Sequence, residues 1–404
     1  MIGRASLPRW SGWHLLRELP PESCPNSMQP ISRRTCLQRL ALTLSATAIP
    51  SAARSEEIIA PTDAEKEIIS KIAREFMEKH EAPGLSVSFS YRDQVSYSIG
   101  FGMADVEKKD EMTPRHLFRI ASIAKPLTAV GIYKLIEQGK LKPEDHIFGD
   151  GGLLQVRGLK KLPEGVEDIT LHHLLTHTCG GWQNDGNDPM FRHPDLDHRE
   201  LIATTLREQP LKNAPGSSYA YSNFGYCLLG RVIEKSSGKS YATFMEDTIL
   251  KPSGVKDMKI SGNTREDRAK DEVIYYGQNG EDPYHMNVRR MDSHGGWLAT
   301  PEDIVRVFNH CSGAGAASTL LRADTVKSML TASNANPGYA SGWAVNEARH
   351  RWHSGSLPGT STIAVRTSGG MCWAGFANAR NKDIALALDQ MMWQMAKAVP
   401  AWQA

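Results

Sequence analysis

The sequence predicts a mixed α/β fold of the α+β type: one antiparallel sheet flanked by helices and formed from both ends of the chain, with a mostly helical lobe inserted between them. Three observations carry this. Alternating apolar and polar runs lie near both ends, the middle is dominated by helix-period patterns joined by long loops, and a helix-period segment flanks the strands at either end. Strands so far apart in sequence need partners, and pairing them with each other leaves the middle as an insertion. The sheet part is expected over about 54–112 and 311–404, and the helical lobe over about 113–310.

The elements follow in order. DAEKEIISKIAREFMEKH (63–80) places Ile68, Ile69, Ile72, Phe76 and Met77 at helical spacing, with Asp63 as the expected N-cap. GLSVSFS alternates Leu85, Val87 and Phe89, and QVSYSIG alternates Val95, Tyr97 and Ile99, so a hairpin turning at Arg92-Asp93 is expected. Leu127, Val130, Ile132, Leu135 and Ile136 mark a helix that Gly139 stops. Strand-like runs return at 342–345, 361–366 and 371–378, and residues 382–398 form a closing helix rich in Ala, Leu and Met.

Composition bounds what such a chain can do. The 404 residues are 40% hydrophobic and 23% charged, which is ordinary for a globular protein with a sizeable core. No apolar run approaches the roughly 18 residues that a spanning helix needs. Residues 31–53, ISRRTCLQRLALTLSATAIPSAA, place Arg33 and Arg34 before a modestly apolar stretch ending in small residues, the layout of an export signal. The order from Ser32 to Leu37 resembles a twin-arginine signal, which implies export machinery as a partner and a periplasmic or extracellular destination. Residues 1–53 are therefore expected to be a leader, and a start at Met28 would leave residues 1–27 outside the real protein.

Six Arg and two Glu lie within residues 1–53, so 41 basic face 43 acidic side chains beyond them. That near-neutral balance argues against a nucleic-acid partner. Cys179, Cys227, Cys311 and Cys372 form no C-x-x-C pair, and buried free thiols are expected. His172, His173 and His177 lack the H-E-x-x-H arrangement and an evident further ligand, so a structural role near the cleft is expected, and no metal or cofactor.

The chemistry turns on a serine. Ser-x-x-Lys occurs three times, at Ser122/Lys125, Ser236/Lys239 and Ser253/Lys256. Ser236 stands at a fraying helix end and Ser253 in a Pro/Gly loop. Ser122 stands at a helix N-terminus, where free amides and the dipole favour developing negative charge, and Lys125 returns to the same face one turn later. The G-x-S-x-G elbow is absent. Two further short motifs, Tyr221-Ser222-Asn223 and His353-Ser354-Gly355, supply polar groups that a serine nucleophile needs.

FRIASIAKPLTA, ITLHHLLTHTCGG, YSNFGYCLLGRVIEKSSGKSY, GGWLATPEDIVRV and HSGSLPGT, in this order and spacing, resemble the β-lactamase-related serine hydrolases. That group holds class C β-lactamases, D-Ala-D-Ala carboxypeptidases, D-aminopeptidases and some carboxylesterases. The resemblance covers about 64–390 and implies the penicillin-binding (β-lactamase/transpeptidase-like) fold, with the site between sheet domain and helical lobe. It implies Ser122 as the acylated nucleophile, Lys125 as its activating partner, and Tyr221 as a shared base whose phenol pKa Lys125 lowers. Asn223 would hold the substrate amide. His353, Ser354 and Gly355 would bind substrate from the strand edging the cleft, and the backbone amides of Ser122 and Ser356 would form the oxyanion hole.

Two departures matter. His353 stands where class C β-lactamases carry Lys, and a histidine only partly charged near neutral pH binds a substrate carboxylate less firmly. Ser354 replaces the usual Thr and keeps the hydroxyl. Trp182 is a candidate substrate-lining or core side chain, and the polar segment 184–200 is expected to form a loop over the cleft mouth. The expected function is an exported serine hydrolase cleaving an amide or ester in a small molecule or peptide: a β-lactam, a D-amino-acid peptide or a carboxylic ester. The alternative is a catalytically silent relative that binds cell-wall peptides or β-lactams as a sensor or scaffold. Intact Ser122, Lys125 and Tyr221 favour the first.

Overall fold

In the computed structural model, which describes residues 58–156, 158–159, 161–278, 280–311 and 320–403, chain order runs α1 (Asp63–His80), β1 (Gly84–Tyr91), β2 (Gln94–Asp105), β3 (Asp110–Glu111), β4 (Phe118–Arg119), α2 (Ala124–Glu137) and α3 (Leu171–Leu175). It continues with α4 (Pro189–Arg192), α5 (His198–Glu208), α6 (Asn223–Ser237), α7 (Tyr241–Met245), β5 (Lys259–Ile260), β6 (Trp297–Ala299), α8 (Pro301–His310) and α9 (Ala323–Met329). The last elements are β7 (Ala344–Val345), β8 (Arg351–Leu357), β9 (Thr360–Arg366), β10 (Met371–Ala377) and α10 (Ile384–Lys397). The leader reading, residues 1–53, lies outside the described residues.

The seven-stranded sheet has the order β3-β2-β1-β10-β9-β8-β7, antiparallel throughout. Its centre joins the two ends of the fold: Leu85 opposes Ala377 and Tyr91 opposes Met371. Strand β1, GLSVSFSY, shows how sequence makes layers. Leu85, Val87 and Phe89 face a core with Ile69 and Phe76 of α1 and Leu388 and Met392 of α10. Burying each such side chain stabilises the fold by about 1.5–3 kcal/mol. The intervening serines face α8: Ser90 Oγ donates to Asn309 Oδ1 at 3.1 Å, and Ser88 bonds Ser98, which donates to Glu302.

Helix α1 departs from expectation at its cap. Thr62, not Asp63, is the N-cap: its hydroxyl accepts from the Glu65 amide while Glu65 accepts from the Thr62 amide at 2.7 Å. This reciprocal box is worth about 1 kcal/mol, and Asp63 instead pairs with Lys66 at 2.9 Å. Arg92 and Asp93 both take positive φ (49° and 65°), the two-residue turn whose twist suits a hairpin. The Asp93 carboxylate then pairs with buried Arg366 of β9.

Helices are the main regular elements of the middle region, joined by long loops, but it also carries its own small sheet, β4-β6-β5. Strand β8 is an element that alternation did not reveal, because RWHSGSL is polar and glycine-containing although it pairs with β9 over its whole length. Cys179, Cys227, Cys311 and Cys372 are free and buried. Among the described residues no helix is long and apolar enough to cross a membrane.

Candidate active site

Ser122 lies in a single 3-10 turn, Ala121–Ile123, that runs directly into α2. Ala121 just before it has φ 48°, a left-handed conformation costing roughly 1–2 kcal/mol for a residue with a Cβ. Its surroundings hold it there. The Ile120 amide donates to Trp297 O at 3.0 Å, Thr362 Oγ1 donates to Ile120 O at 2.9 Å, and Thr360 Oγ1 donates to Arg119 O. Gly355 of β8 presses on the same turn, where a Cβ would stand 2.3 Å from Ile120 O. The strand can approach so closely only because that side chain is missing.

The two competing Ser-x-x-Lys pairs each have a member committed elsewhere. Ser253 Oγ donates to Ile249 O at 2.8 Å, and Lys239, the partner of Ser236, pairs with Asp247 instead.

Lys125 is fully buried, and its Nζ reaches Asn223 Oδ1 at 2.7 Å, Ser122 Oγ at 3.1 Å and His294 O at 3.1 Å. Burial pushes its ammonium down to about 7, against the pull of Asp188. Two of the three partners, an amide oxygen and a carbonyl, can only accept. A neutral amine has two hydrogens to satisfy them and one lone pair left, which then faces the Ser122 hydroxyl. The arrangement can therefore take a proton from Ser122.

Tyr221 precedes Ser222, the N-cap of α6, whose hydroxyl accepts from the Gly225 amide at 3.0 Å. The phenol neighbours the Ser122 hydroxyl, and its ring lies 4.7 Å from Lys125 Nζ. The expectation that Lys125 lowers the Tyr221 pKa is overturned: burial dominates and raises it far above the ordinary phenol value, so the group stays protonated. Asn223 is bonded at both ends, its Nδ2 donating to Asp188 Oδ2 at 2.8 Å.

His353 is equally committed. Its Nδ1 donates to Ser354 O at 2.6 Å and its Nε2 accepts from the Tyr339 hydroxyl at 3.1 Å. Burial holds the imidazolium down to about 3, so the ring is neutral rather than partly charged. The chain of bonds continues: His177 Nε2 meets the Tyr339 hydroxyl at 3.2 Å, and His177 Nδ1 accepts from the Ser222 amide at 3.1 Å. The backbone ends fix every direction, since Ser222 N–H can only donate and Ser354 C=O can only accept. Beyond Gly355, Ser354 is half-buried and Ser356 exposed.

Segment 184–200 is a fixed wall of the site, with α4 inside it. The Asn184 amide donates to Tyr221 O at 2.7 Å, Asp188 is buried on Asn223, and Arg290 donates to Met190 O at 2.7 Å and to the carbonyls of His193 and Leu196. Trp182 belongs to the core, stacked edge-on with Phe224 and donating to Gln209 O. Sequence reasoning thus brought Ser122, Lys125, Tyr221, Asn223 and His353 together and missed Asp188, Tyr339 and the His294 carbonyl. Neither Asp188 nor Tyr339 sits in a motif, and a backbone carbonyl leaves no residue signature.

The profile of the Beta-lactamase family matches residues 69–391. The chain belongs to the beta-lactamase family. It is similar to a penicillin-binding protein of Bacillus subtilis (strain 168), 32% identical over 189 residues, 45% of this chain and 39% of that protein. It is also similar to protein flp of Staphylococcus aureus (strain MW2), 26% identical over 312 residues, 75% of this chain and 61% of that one. The chain thus spans less than two thirds of these relatives. Among solved structures, D-amino acid amidase from Ochrobactrum anthropi SV3 in complex with L-phenylalanine amide superposes with TM-score 0.69 at 22% identity, covering 84% of this chain and all of that one. A class C beta lactamase from Rhodobacter sphaeroides gives 0.66 at 18%, covering 82% and 99%. Both structures share the mixed helix and antiparallel-sheet fold of this chain.

Proposed function

We propose that the protein is an exported serine hydrolase that forms an acyl-enzyme on Ser122 and cleaves an amide or ester of a small molecule or peptide. The observation carrying this reading is the Lys125 amine: buried, bonded to two acceptors and to Ser122, and pushed down to about 7. An amine with that value is a working base near neutral pH.

The steps follow from the bonds. Ser122 Oγ attacks the substrate carbonyl carbon as its proton passes to the Lys125 lone pair, and the carbonyl π pair moves to oxygen. The amides of Ser122 and Ser356 are the proposed donors to that oxyanion, each worth about 3 kcal/mol. On collapse the leaving group departs with the Tyr221 hydroxyl proton, and Lys125 returns its extra proton to the phenolate. Water then cleaves the ester by the same route, releasing acid and restoring Ser122. Asn223, His353, Ser354 and Gly355 are proposed to shape the substrate side of the site. A neutral His353 offers no charge to a substrate carboxylate, which favours acyl groups without one at that position. The family membership and the leader sequence support export.

The test is intact mass after mixing with a penicillin and, separately, with an activated phenyl ester, beside the Ser122→Ala variant. An adduct on the unmutated protein alone is the expected result, and its lifetime separates slow binders from turnover. No adduct from either reagent, or one that persists in Ser122→Ala, would overturn the reading.

A further inference from the structure

We propose that Asp188 is a positioning residue of this reaction, acting on Lys125 through the side-chain amide of Asn223. The inference rests on the serine-acylation reading above and adds to it a residue outside the three motifs. Asp188 is 1% exposed, and its carboxylate is used on both oxygens: Oδ1 accepts from the Met190 amide at 2.9 Å and Oδ2 from Asn223 Nδ2 at 2.8 Å. Because Asn223 Nδ2 must donate to the carboxylate, Oδ1 is turned toward Lys125 Nζ at 2.7 Å. The amide has no alternative orientation that satisfies both neighbours.

The same line of atoms carries charge. The groups facing Lys125 are the Ser122 hydroxyl on its own turn, Tyr221 and Tyr226 from the α6 segment, His177 beyond α3, His294 before β6, His353 on β8, and Asp188 beside α4. Burial keeps all three imidazoles well below their ordinary value and Tyr221 and Tyr226 well above theirs, so these groups are neutral at pH 7. Asp188, raised by burial to about 6 with Asp185 adding to the rise, is the neighbour that carries charge, and it opposes the fall of Lys125. Removing that charge makes the neutral amine prevail at lower pH.

Acylation of Ser122 by an activated phenyl ester is to be followed from pH 5 to 9 in the unmutated protein, Asp188→Asn and Asp188→Glu, with Ser122→Ala as the blank. The expected result is a rate that rises with pH, a midpoint about one pH unit lower in Asp188→Asn, and a return toward the original midpoint in Asp188→Glu. A rate lowered equally at every pH with the midpoint unmoved would overturn the proposal, leaving Asp188 as structural support. Because Asp188 also caps α4, a reciprocal measurement guards against misfolding of the variants. Carbon-13 NMR of the Asp188 carboxyl should show it titrating at higher pH in Lys125→Met than in the unmutated protein, and an unmoved titration counts against the coupling. That second arm needs no turnover. Absence of ester labelling therefore speaks against the serine reading alone, while the NMR result still decides the role of Asp188.

Discussion

The hydroxyl of Tyr339 lies 3.1 Å from Nε2 of His353 and donates to it. That bond is one link of the ordered chain running from the Ser222 amide to the Ser354 carbonyl. Tyr339→Phe keeps the ring and removes the link, leaving Nε2 of both His177 and His353 buried without this partner. A destabilisation of about 1–3 kcal/mol is expected from urea unfolding followed by tryptophan fluorescence. A variant within about 0.5 kcal/mol of the original would mean the chain of bonds contributes nothing.

Lys125 makes stability depend on pH with a definite sign. Its folded value is about 7, below the 10.5 of an exposed lysine, so between these values the unfolded chain holds a proton that the folded one has lost. Stability contributed by this group is present above 10.5 and falls as pH drops through 7, by about 1.4 kcal/mol per pH unit within the window. Lys125→Met should flatten that slope between pH 7 and 9. Parallel urea midpoints for the two proteins over that range would refute the depressed value.

Gly355→Ala would drive a Cβ to within 2.3 Å of Ile120 O and of Thr362 Oγ1, and to 3.0 Å of the Ala121 Cβ. The strand must then move off the turn that carries Ser122. Loss of about 1–3 kcal/mol is expected, with ester acylation falling further than stability alone explains. Crystal structures of the variant with β8 unmoved would contradict this.

Arg290 ties down three carbonyls of segment 190–196. Arg290→Ala should release that wall at a cost of about 1.5–3 kcal/mol per charged hydrogen bond lost. Limited trypsin digestion reads the release as faster cutting after Arg192, about tenfold for each 1.4 kcal/mol of local stability lost. Equal cutting rates would show that the segment is held by other contacts.

The terminal strands and flanking helices were legible because their physics is periodic: Leu85, Val87 and Phe89 alternate, and Ile69 and Phe76 recur at helical spacing. The turn at Ser122 was legible because a strongly apolar helix that Gly139 stops follows it. Strand β8 was not, since its residues are chosen for the site and not for a two-faced pattern. Asp188 illustrates a second limit. An aspartate in a polar stretch reads as solvated, and only the fold reveals that Arg290 and Asn223 draw it inside. The pKa of Tyr221 departs from expectation for a related reason: the family resemblance implies Lys125 beside the phenol, but no motif displays the depth of burial that outweighs it.

The pairing of β1 with β10 has a consequence for how the molecule comes into being. The strand carrying Leu85, Val87 and Phe89 leaves the ribosome long before Met371–Ala377, the partner that covers its inner edge, has been translated. Until then the nascent chain must keep an apolar strand edge from pairing with other chains, so the central sheet can close only after Met371–Ala377 has been translated.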